Sequence, residues 1–313
     1  MMVDITIDMD NIFHRIYSVI KRKPDFREDM RGRNWVIEDV AKFCNSMIRK
    51  IPHRGLWMAM DSDDTWRKDR YMPYKGTRTG DKVFLRSCMD EYAITHDKDG
   101  GCILKFPKYE GDDIITGLVE INANRGVSTV IISSDSDLNQ LVKYEEGKPF
   151  VVQYDPDSQK RWYYIDHKYV KQEPDMFNDV MIDDMNTYTD GEHKLIDPHA
   201  QLIIKLLSGD KGDNVPSCYT NINGKNRSLG ETSAIKVAAV FGKLDNYFDI
   251  LGQREIASKV LKVVGSTEVS RINEIVDNIR RNLDLIHLSS NSIYQYADLV
   301  KSITNKIKTH ANY

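Results

Sequence analysis

A chain of 313 residues with 41% hydrophobic content can bury a sizeable core, as one large domain or two coupled ones. Its four cysteines, Cys44, Cys88, Cys102 and Cys218, include no C-x-x-C pair, which argues against a disulfide framework or a cysteine zinc site, and no apolar run approaches the roughly 18 residues of a membrane span. The formal net charge of −3 is unevenly spread, with eleven Lys/Arg against five acids from Arg15 to Arg54 and seven against two from Arg67 to Arg86.

Val3, Ile5 and Ile7 alternate, so residues 3 to 8 read as a strand. Val36, Val40, Phe43, Met47 and Ile51 fall at helical spacing and predict a helix over 36 to 51. Leu56 to Met60 predicts a second strand, ended by Asp61 as Asp8 ends the first. Residues 102 to 106 predict a third strand, 112 to 124 a helix closed by Gly126, and 127 to 134 ("VSTVIISS") a fourth strand. "PFVVQY" and "RWYYI" predict a hairpin across Asp155-Pro156-Asp157, after which the pattern turns helical. The acidic stretch 173 to 197 reads as an exposed insertion. Asp197 as N-cap and Pro198 at the first helical position open a helix that runs to Leu207 and stops at Gly209. The C-terminal "YADLVKSITNKIKTHANY" is amphipathic, either a partner-docking helix or a helix that closes the core.

Strands alternating with helices imply an α/β fold with a mostly parallel central sheet, in which ligands collect at the carboxyl ends of the strands. Asp8, Asp61 and Asp135 each sit at such an end. Glu110, Asp112 and Asp113 of "YEGDD" fall at a helix amino end, Asp135 and Asp137 lie in "SSDSD", and Asp210 and Asp213 in "GDKGDN". Each segment alone is explained as well by plain helix capping. Gathered in one cleft they are not, because each unneutralised pair at about 4 Å costs roughly 4 kcal/mol, and several exceed the whole stability of a domain, about 5–15 kcal/mol. No His or Cys accompanies them, and an all-oxygen set favours Mg²⁺ or Mn²⁺, with two ions expected for this many carboxylates. Two such ions about 4 Å apart would clamp a phosphodiester for in-line hydrolysis. In "WRKDRYMPYKGTR" Lys75 and Arg78 are candidates to neutralise transition-state charge, with Trp66, Tyr71 and Tyr74 interleaved as stacking faces for unpaired bases. An EF-hand reading of "DPDSQKRWYYID" fails, since Lys160 occupies the glycine position.

As an ordered set, "IDMDNIFHR", "AMDSDDTWRKDRYMPYKGTR", "YEGDDII", "IISSDSDLNQLV" and "LLSGDKGDNVPS" resemble the motifs of the 5′ nuclease (flap endonuclease) superfamily and its T-even-type phage ribonuclease H branch, over roughly residues 3 to 245. The resemblance implies a PIN-like α/β nuclease domain over 1–170 with a helical arch at about 67–97. It also implies a C-terminal helical DNA-binding domain over 171–313, with a helix-turn-helix-like region at about 198–242. By the same resemblance Asp8, Asp61, Glu110 and Asp112 would hold a first Mg²⁺. Asp112, Asp113, Asp135, Asp137 and Asp213 would hold a second, with Asp210 peripheral. Lys75 and Arg78 would contact the scissile phosphate, Arg67 would help at the arch base, Tyr74 would stack on the displaced nucleotide beside Trp66, and Lys211, Lys225, Arg227 and Lys236 would touch duplex phosphate. The implied activity removes 5′ flaps and RNA primers from branched or nicked duplex DNA and RNA–DNA hybrids. A monomer in the cytoplasm, of the host cell if phage-encoded, is expected, with single-strand-binding protein or a sliding clamp as partner and no membrane. Most relatives carry a glycine-rich hairpin after the last acidic loop, sometimes with a bound K⁺. Here "CYTNINGKNRSLGETSAIKVAAVFG" departs from it.

Two rivals remain. "DMDNIF" also resembles the D-x-D motif of haloacid-dehalogenase-like phosphatases, with Asp8 attacking phosphorus and Asp10 as general acid, although "EGDD" and "SSDSD" then have no role. A non-catalytic structure-specific DNA-binding protein with the same fold is the other, and the complete acid set argues against it.

Overall fold

A computed structural model describes residues 3–77, 82–96, 102–145, 148–156, 160–165, 168–172, 198–220, 228–241, 244–289 and 292–311. Strands β1 (Val3–Asp8), β2 (His53–Ala59), β3 (Cys102–Leu104), β4 (Thr129–Ile132) and β6 (Lys148–Asp155) pair in parallel in the order β3-β2-β1-β4-β6. Strands β7 (Lys160–Ile165) and β8 (Lys168–Gln172) extend the β6 edge antiparallel, and β5 (Lys143–Glu145) pairs back on β6. The hairpin expected from "PFVVQY" and "RWYYI" is β6–β7. The helical pattern expected beyond it is preceded by β8, an extra edge strand. The acidic stretch 173–197 lies outside the described residues.

The period-2 pattern explains how the sheet is buried on both faces. Ile5, Ile7, Leu56, Met58, Val130 and Ile132 point into one core, and Trp57, Ala59, Leu104 and Ile131 into the other. Helices α1 (Met9–Ile20), α2 (Met30–Lys50) and α4 (Lys82–His96) fill the first layer, while α5 (Gly111–Asn124) and the last helix cover the second. α1 was not expected from the sequence. It follows β1 without a loop because Asp8, the last strand residue, also caps the helix by accepting from Asn11 N–H. α2 begins six residues before its expected start, where Asp29 accepts from Gly32 N–H. Gly126, at φ +64°, ends the α5 region as expected.

Helices α6 (Pro198–Ser208), α7 (Glu231–Ala238), α8 (Asp245–Phe248), α9 (Ile250–Val264) and α10 (Ile272–Ile286) share a separate core, which also takes in Tyr71 and Tyr74 from the segment after β2. The final helix, α11 (Tyr296–Ala311), returns to the sheet. Its Leu299, Ile303 and Ile307 pack with Leu118 and Val119 of α5, so it closes the core. Asp197 lies outside the described residues. The helix that it was expected to cap runs from Pro198 and ends at Gly209, whose φ of +80° brings its backbone so near Val215 that a Cβ would lie 2.4 Å from that carbonyl.

The span 67–97, expected to form an arch, is described in part. A short helix α3 (Trp66–Arg70) is followed by turns through residue 77, and α4 is packed down by Leu85, Cys88, Met89 and Tyr92 into the first core. Residues 78–81 and 97–101 lie outside the described residues, Arg78 among them.

Candidate functional site

The chain runs β1, β2, β3 to one side and then β4, β6 to the other, so the strand order switches beside β1. Crevices at such switch points, outside the carboxyl ends of the strands, are where this architecture binds ligands. Asp8 ends β1, Asp61 follows β2, and Asp135 follows β4 as cap of a short 3-10 turn. Asp8 is buried, its Oδ1 accepting from Asn11 N–H at 3.1 Å and its Oδ2 from the Ser133 hydroxyl at 2.8 Å. The Asn11 side-chain oxygen in turn accepts from the amide and hydroxyl of Ser134. Asp135 Oδ1 accepts from Asp137 N–H at 2.9 Å. Asp61 Oδ1 accepts from Gly111 N–H at 2.7 Å, which ties the end of β2 to the amino end of α5.

Electrostatics tells the same story of convergence. Burial, opposed by the Asn11 amide and reinforced by Asp135 and Asp61, pushes Asp8 up from 3.8 to about 7. Burial raises Asp112 well above the usual carboxylate range, with Asp135, Asp8 and Asp61 all adding repulsion. Asp61 is raised as well, chiefly by burial. Asp137 rises to about 6 through burial despite its pairing with Lys205. Carboxyls spread over more than a hundred residues of sequence therefore feel one another across one cleft.

Cations already hold part of the set. Lys75 Nζ lies 2.5 Å from Glu110 Oε1 and 4.0 Å from Asp213 Oδ2. Burial opposes ionisation of Glu110, yet Lys75 and Arg67 outweigh it and hold its pKa below the usual range. Lys205, from α6, bridges Asp137 and Asp210. Burial of Asp210 is likewise outweighed by Lys205, so its pKa is lowered. The 209–214 turn is closed by mutual backbone bonds between Asp210 and Val215 and is stitched to the segment after α3. Lys75 N–H donates to the Asp213 carbonyl at 2.8 Å, and the Asn214 side-chain amide donates to the Pro73 carbonyl at 2.7 Å. Lys75 and Asn214 both take left-handed backbone, at φ 52° and 58°, to make this join.

Four expectations are corrected. Arg67 is 2% exposed and spends its guanidinium on Asp113, Glu110 and the Leu285 carbonyl, so it has no face for substrate. Asp113 is 0% exposed. Both its oxygens are taken by Arg67, with Trp66 Nε1 and the Glu110 amide also on Oδ2, which removes it from the ligand set. Trp66 is 2% exposed and cannot stack on a base. Tyr74 is 3% exposed, and its hydroxyl donates to Glu110 Oε2 and Asp213 Oδ2, so it braces two acids from below. Lys211 and Lys236 are exposed, as phosphate contacts need to be, while Lys225 and Arg227 lie outside the described residues. Sequence reasoning missed Asn11, Ser133 and Lys205, although the first two stand inside the quoted motifs. Outside the phosphatase rival it also gave no role to Asp10, whose Oδ2 accepts from Asp61 N–H at 2.7 Å.

Among the described residues no three acids are arranged around one point as a finished ion cage. The donor chemistry nevertheless fits hard cations. Asp8, Asp61, Asp112 and Asp135 are all oxygen donors, and the repulsion that Asp8 and Asp112 feel from the others is relieved by positive charge. Asp112, Asp137, Asp210 and Asp213 line one hollow beneath Tyr74. Beside it, a cavity of about 670 Å³ opens between α1, α3 and α4, lined among others by Asp61, Glu110, Lys75, Lys68, Lys21 and His14. A further hollow of about 440 Å³ lies between the 209–214 turn and the amino end of α7, beside Lys205, Lys211 and Gly230.

Residues 4–174 match the family described as 5′-3′ exonuclease, N-terminal resolvase-like domain. The chain is 23% identical over 302 residues to a 5′-3′ exonuclease of Buchnera aphidicola subsp. Baizongia pistaciae, covering 94% of this chain and 82% of that protein. It is 24% identical over 167 residues to flap endonuclease Xni of Pseudoalteromonas translucida, covering 52% and 64% respectively. Against DNA polymerase I of Streptococcus pneumoniae serotype 4 it is 23% identical over 252 residues, 78% of this chain but 24% of the polymerase, so it spans about a quarter of that relative. Among solved structures, T5 5′-exonuclease with bound zinc superposes with a TM-score of 0.57 at 17% identity, covering 96% of this chain and 98% of the other. A T5 flap endonuclease complex with DNA and metal ions gives 0.53 at 16% identity, covering 97% and 99%.

Proposed function

Because the chain belongs to the 5′-3′ exonuclease family, whose members are phosphodiester hydrolases, we propose that it is a Mg²⁺-dependent, structure-specific 5′ nuclease that trims flaps and RNA primers during replication. The observation that carries this reading is the group of buried and half-buried acids at the switch point. Asp135 and Asp61 raise the pKa of Asp8, and Asp135, Asp8 and Asp61 raise that of Asp112, with Lys75 suspended at their edge. The T5 relative that binds divalent metal shares the fold, and the T5 relative in complex with DNA and metal ions supports flap or branched DNA as substrate.

Asp8, Asp61, Glu110 and Asp112 would hold one ion, and Asp112, Asp135, Asp137 and Asp213 the second, with Asp210 behind them. Bound there, the ions would supply a nucleophilic hydroxide and steady the leaving oxygen. The protein's own groups do the rest. Asn11 and Ser133 keep Asp8 turned to the cleft, and Tyr74 bridges Glu110 and Asp213, the former also held by Arg67. Lys75, released from Glu110 when that acid is otherwise neutralised, swings to the scissile phosphate and balances its growing negative charge. Arg78 stands three residues further along the same segment and shares that task. Lys211, at the hollow beside α7, and Lys236, exposed on α7, hold duplex phosphates, Lys225 and Arg227 are assigned the same task from the sequence, and the single strand lies in the cavity below α4. Mn²⁺ would substitute for Mg²⁺. The chain acts as a monomer, and a single-strand-binding protein or sliding clamp would deliver it to its substrate.

A labelled 5′-flap duplex, a nicked duplex and an RNA–DNA hybrid, each incubated with Mg²⁺ and with EDTA beside a small phosphomonoester, test the reading. Cleavage of the nucleic acids in Mg²⁺ alone, with the monoester untouched, is the expected pattern. Monoester turnover with intact flaps would return the case to a phosphatase, and DNA binding without any cleavage to a non-catalytic binder.

A further inference from the structure

Asp61 is held from three directions. Its backbone N–H donates to Asp10 Oδ2 at 2.7 Å, its carbonyl accepts from Arg86 Nη1 at 3.0 Å, and its Oδ1 accepts from Gly111 N–H at 2.7 Å. The partners come from the first turn of α1, from α4 and from the amino end of α5. The first two grip the peptide groups on either side of the Asp61 Cα. A residue has only two soft backbone torsions, and fixing both flanking peptide planes fixes them, and with them the direction of its side chain. Arg86 is itself steadied by Asp63, whose Oδ1 lies 3.1 Å from Nε. Asp61 has left the strand ladder at β2's end, so the sheet supplies neither bond.

We propose that Asp10 and Arg86 are positioning residues that aim Asp61 into the cleft, and that Arg86 makes this aim depend on α4 being docked. The proposal rests on Asp61 being a metal ligand under the function proposed above. Asp10 works through its oxygen as an acceptor, and an asparagine oxygen can accept the same N–H. Arg86 works as a donor to a carbonyl. Neither residue touches the reacting phosphate. When a strand is threaded beneath α4, movement of that helix would loosen or restore the Arg86 contact and thereby set how well the first ion is held.

The test uses the full chain and four variants, Asp10→Asn, Asp10→Ala, Arg86→Lys and Arg86→Met. Mn²⁺ affinity is measured by calorimetry without DNA, and kcat and KM are measured on a 5′-flap duplex. Loss of an outer partner of a metal ligand typically costs about 10-fold to 100-fold in affinity or activity. Asp10→Ala and Arg86→Met are expected to weaken Mn²⁺ binding and lower kcat by that order with KM unchanged. Asp10→Asn is expected to rescue both to within about 3-fold, since the acceptor is kept, and Arg86→Lys to recover part of the loss. Equal losses in Asp10→Asn and Asp10→Ala would overturn the proposal, because the charge itself would then be required. So would wild-type Mn²⁺ affinity and kcat in both truncations, or a change confined to KM. If Asp10→Ala does not fold, Arg86→Met decides by the same criteria. Wild-type protein that neither binds Mn²⁺ nor cleaves the flap would refute the proposed function instead, and is read separately.

Discussion

Replacing Asp8 by asparagine should make the metal-free protein more stable while destroying its activity. Burial raises the Asp8 carboxyl from 3.8 to about 7, so in the folded chain its ionisation costs roughly 4 kcal/mol at pH above 7. The sign follows from the direction of the shift. The folded pKa lies above the unfolded one, so stability is fully present below about pH 4, falls as pH rises towards 7, and is constant beyond. Asparagine has no such dependence. It still caps α1, as good an N-cap as aspartate, but keeps with certainty only one of the two accepted bonds from Asn11 and Ser133, a loss of about 1 kcal/mol. A net gain of about 2–3 kcal/mol remains, which at about 1.5 °C per kcal/mol for a 313-residue cooperative unit is a rise in Tm of about 3–5 °C. Melting curves in EDTA at a series of pH values read this directly. The gap between variant and wild type should open from pH 5 to pH 7.5. It should then close or reverse in Mg²⁺, which at 100 times its Kd stabilises only the wild type, by about 2.7 kcal/mol. A variant that melts below wild type in EDTA at pH 7.5, or a gap that ignores pH, would refute the electrostatic reasoning.

Lys75→Ala should lower kcat on a 5′-flap by about 100-fold or more while changing flap affinity in Ca²⁺ by less than about 3-fold; equal losses would make Lys75 a docking charge. Arg67→Met should cost about 3–5 kcal/mol of stability in chemical denaturation, because it strands Asp113 and Glu110 in a buried site. A near-silent Arg67→Met with a large kcat effect would contradict the bracing role. Tyr74→Phe should reduce kcat by about 10-fold through the lost hydroxyl bonds to Glu110 and Asp213. Its fluorescence with a 2-aminopurine flap should match wild type, whereas a change in base stacking would restore the stacking role assigned to it from sequence.

Much of this site is legible in the sequence. Alternation at Val3, Ile5 and Ile7 and the apolar run in "TVII" mark strands, and an acid directly after such a run has to stand at the sheet's carboxyl edge. Three features were not legible, each for a physical reason. α1 hides because Asp8 serves at once as strand end and helix cap, so no loop residues punctuate the change. The first turn of α2, "MRGRN", carries no apolar stripe, and only the Asp29 cap marks its beginning. The burial of Trp66, Arg67 and Tyr74 is hidden most deeply. In a basic aromatic segment these types usually face solvent, and what draws them inward is a pair of counter-charges, Glu110 and Asp113, that lie some forty residues on. The same local chemistry that suggested nucleotide stacking is spent on holding acids in place.

Crystals soaked in Mn²⁺ and measured at its absorption edge test the central claim most directly. The account predicts anomalous peaks in the cleft bounded by Asp8, Asp61, Asp112 and Asp135, with Lys75 displaced from Glu110. A cleft without any peak, its carboxylates still bonded only to Lys75, Arg67 and Lys205, would contradict it.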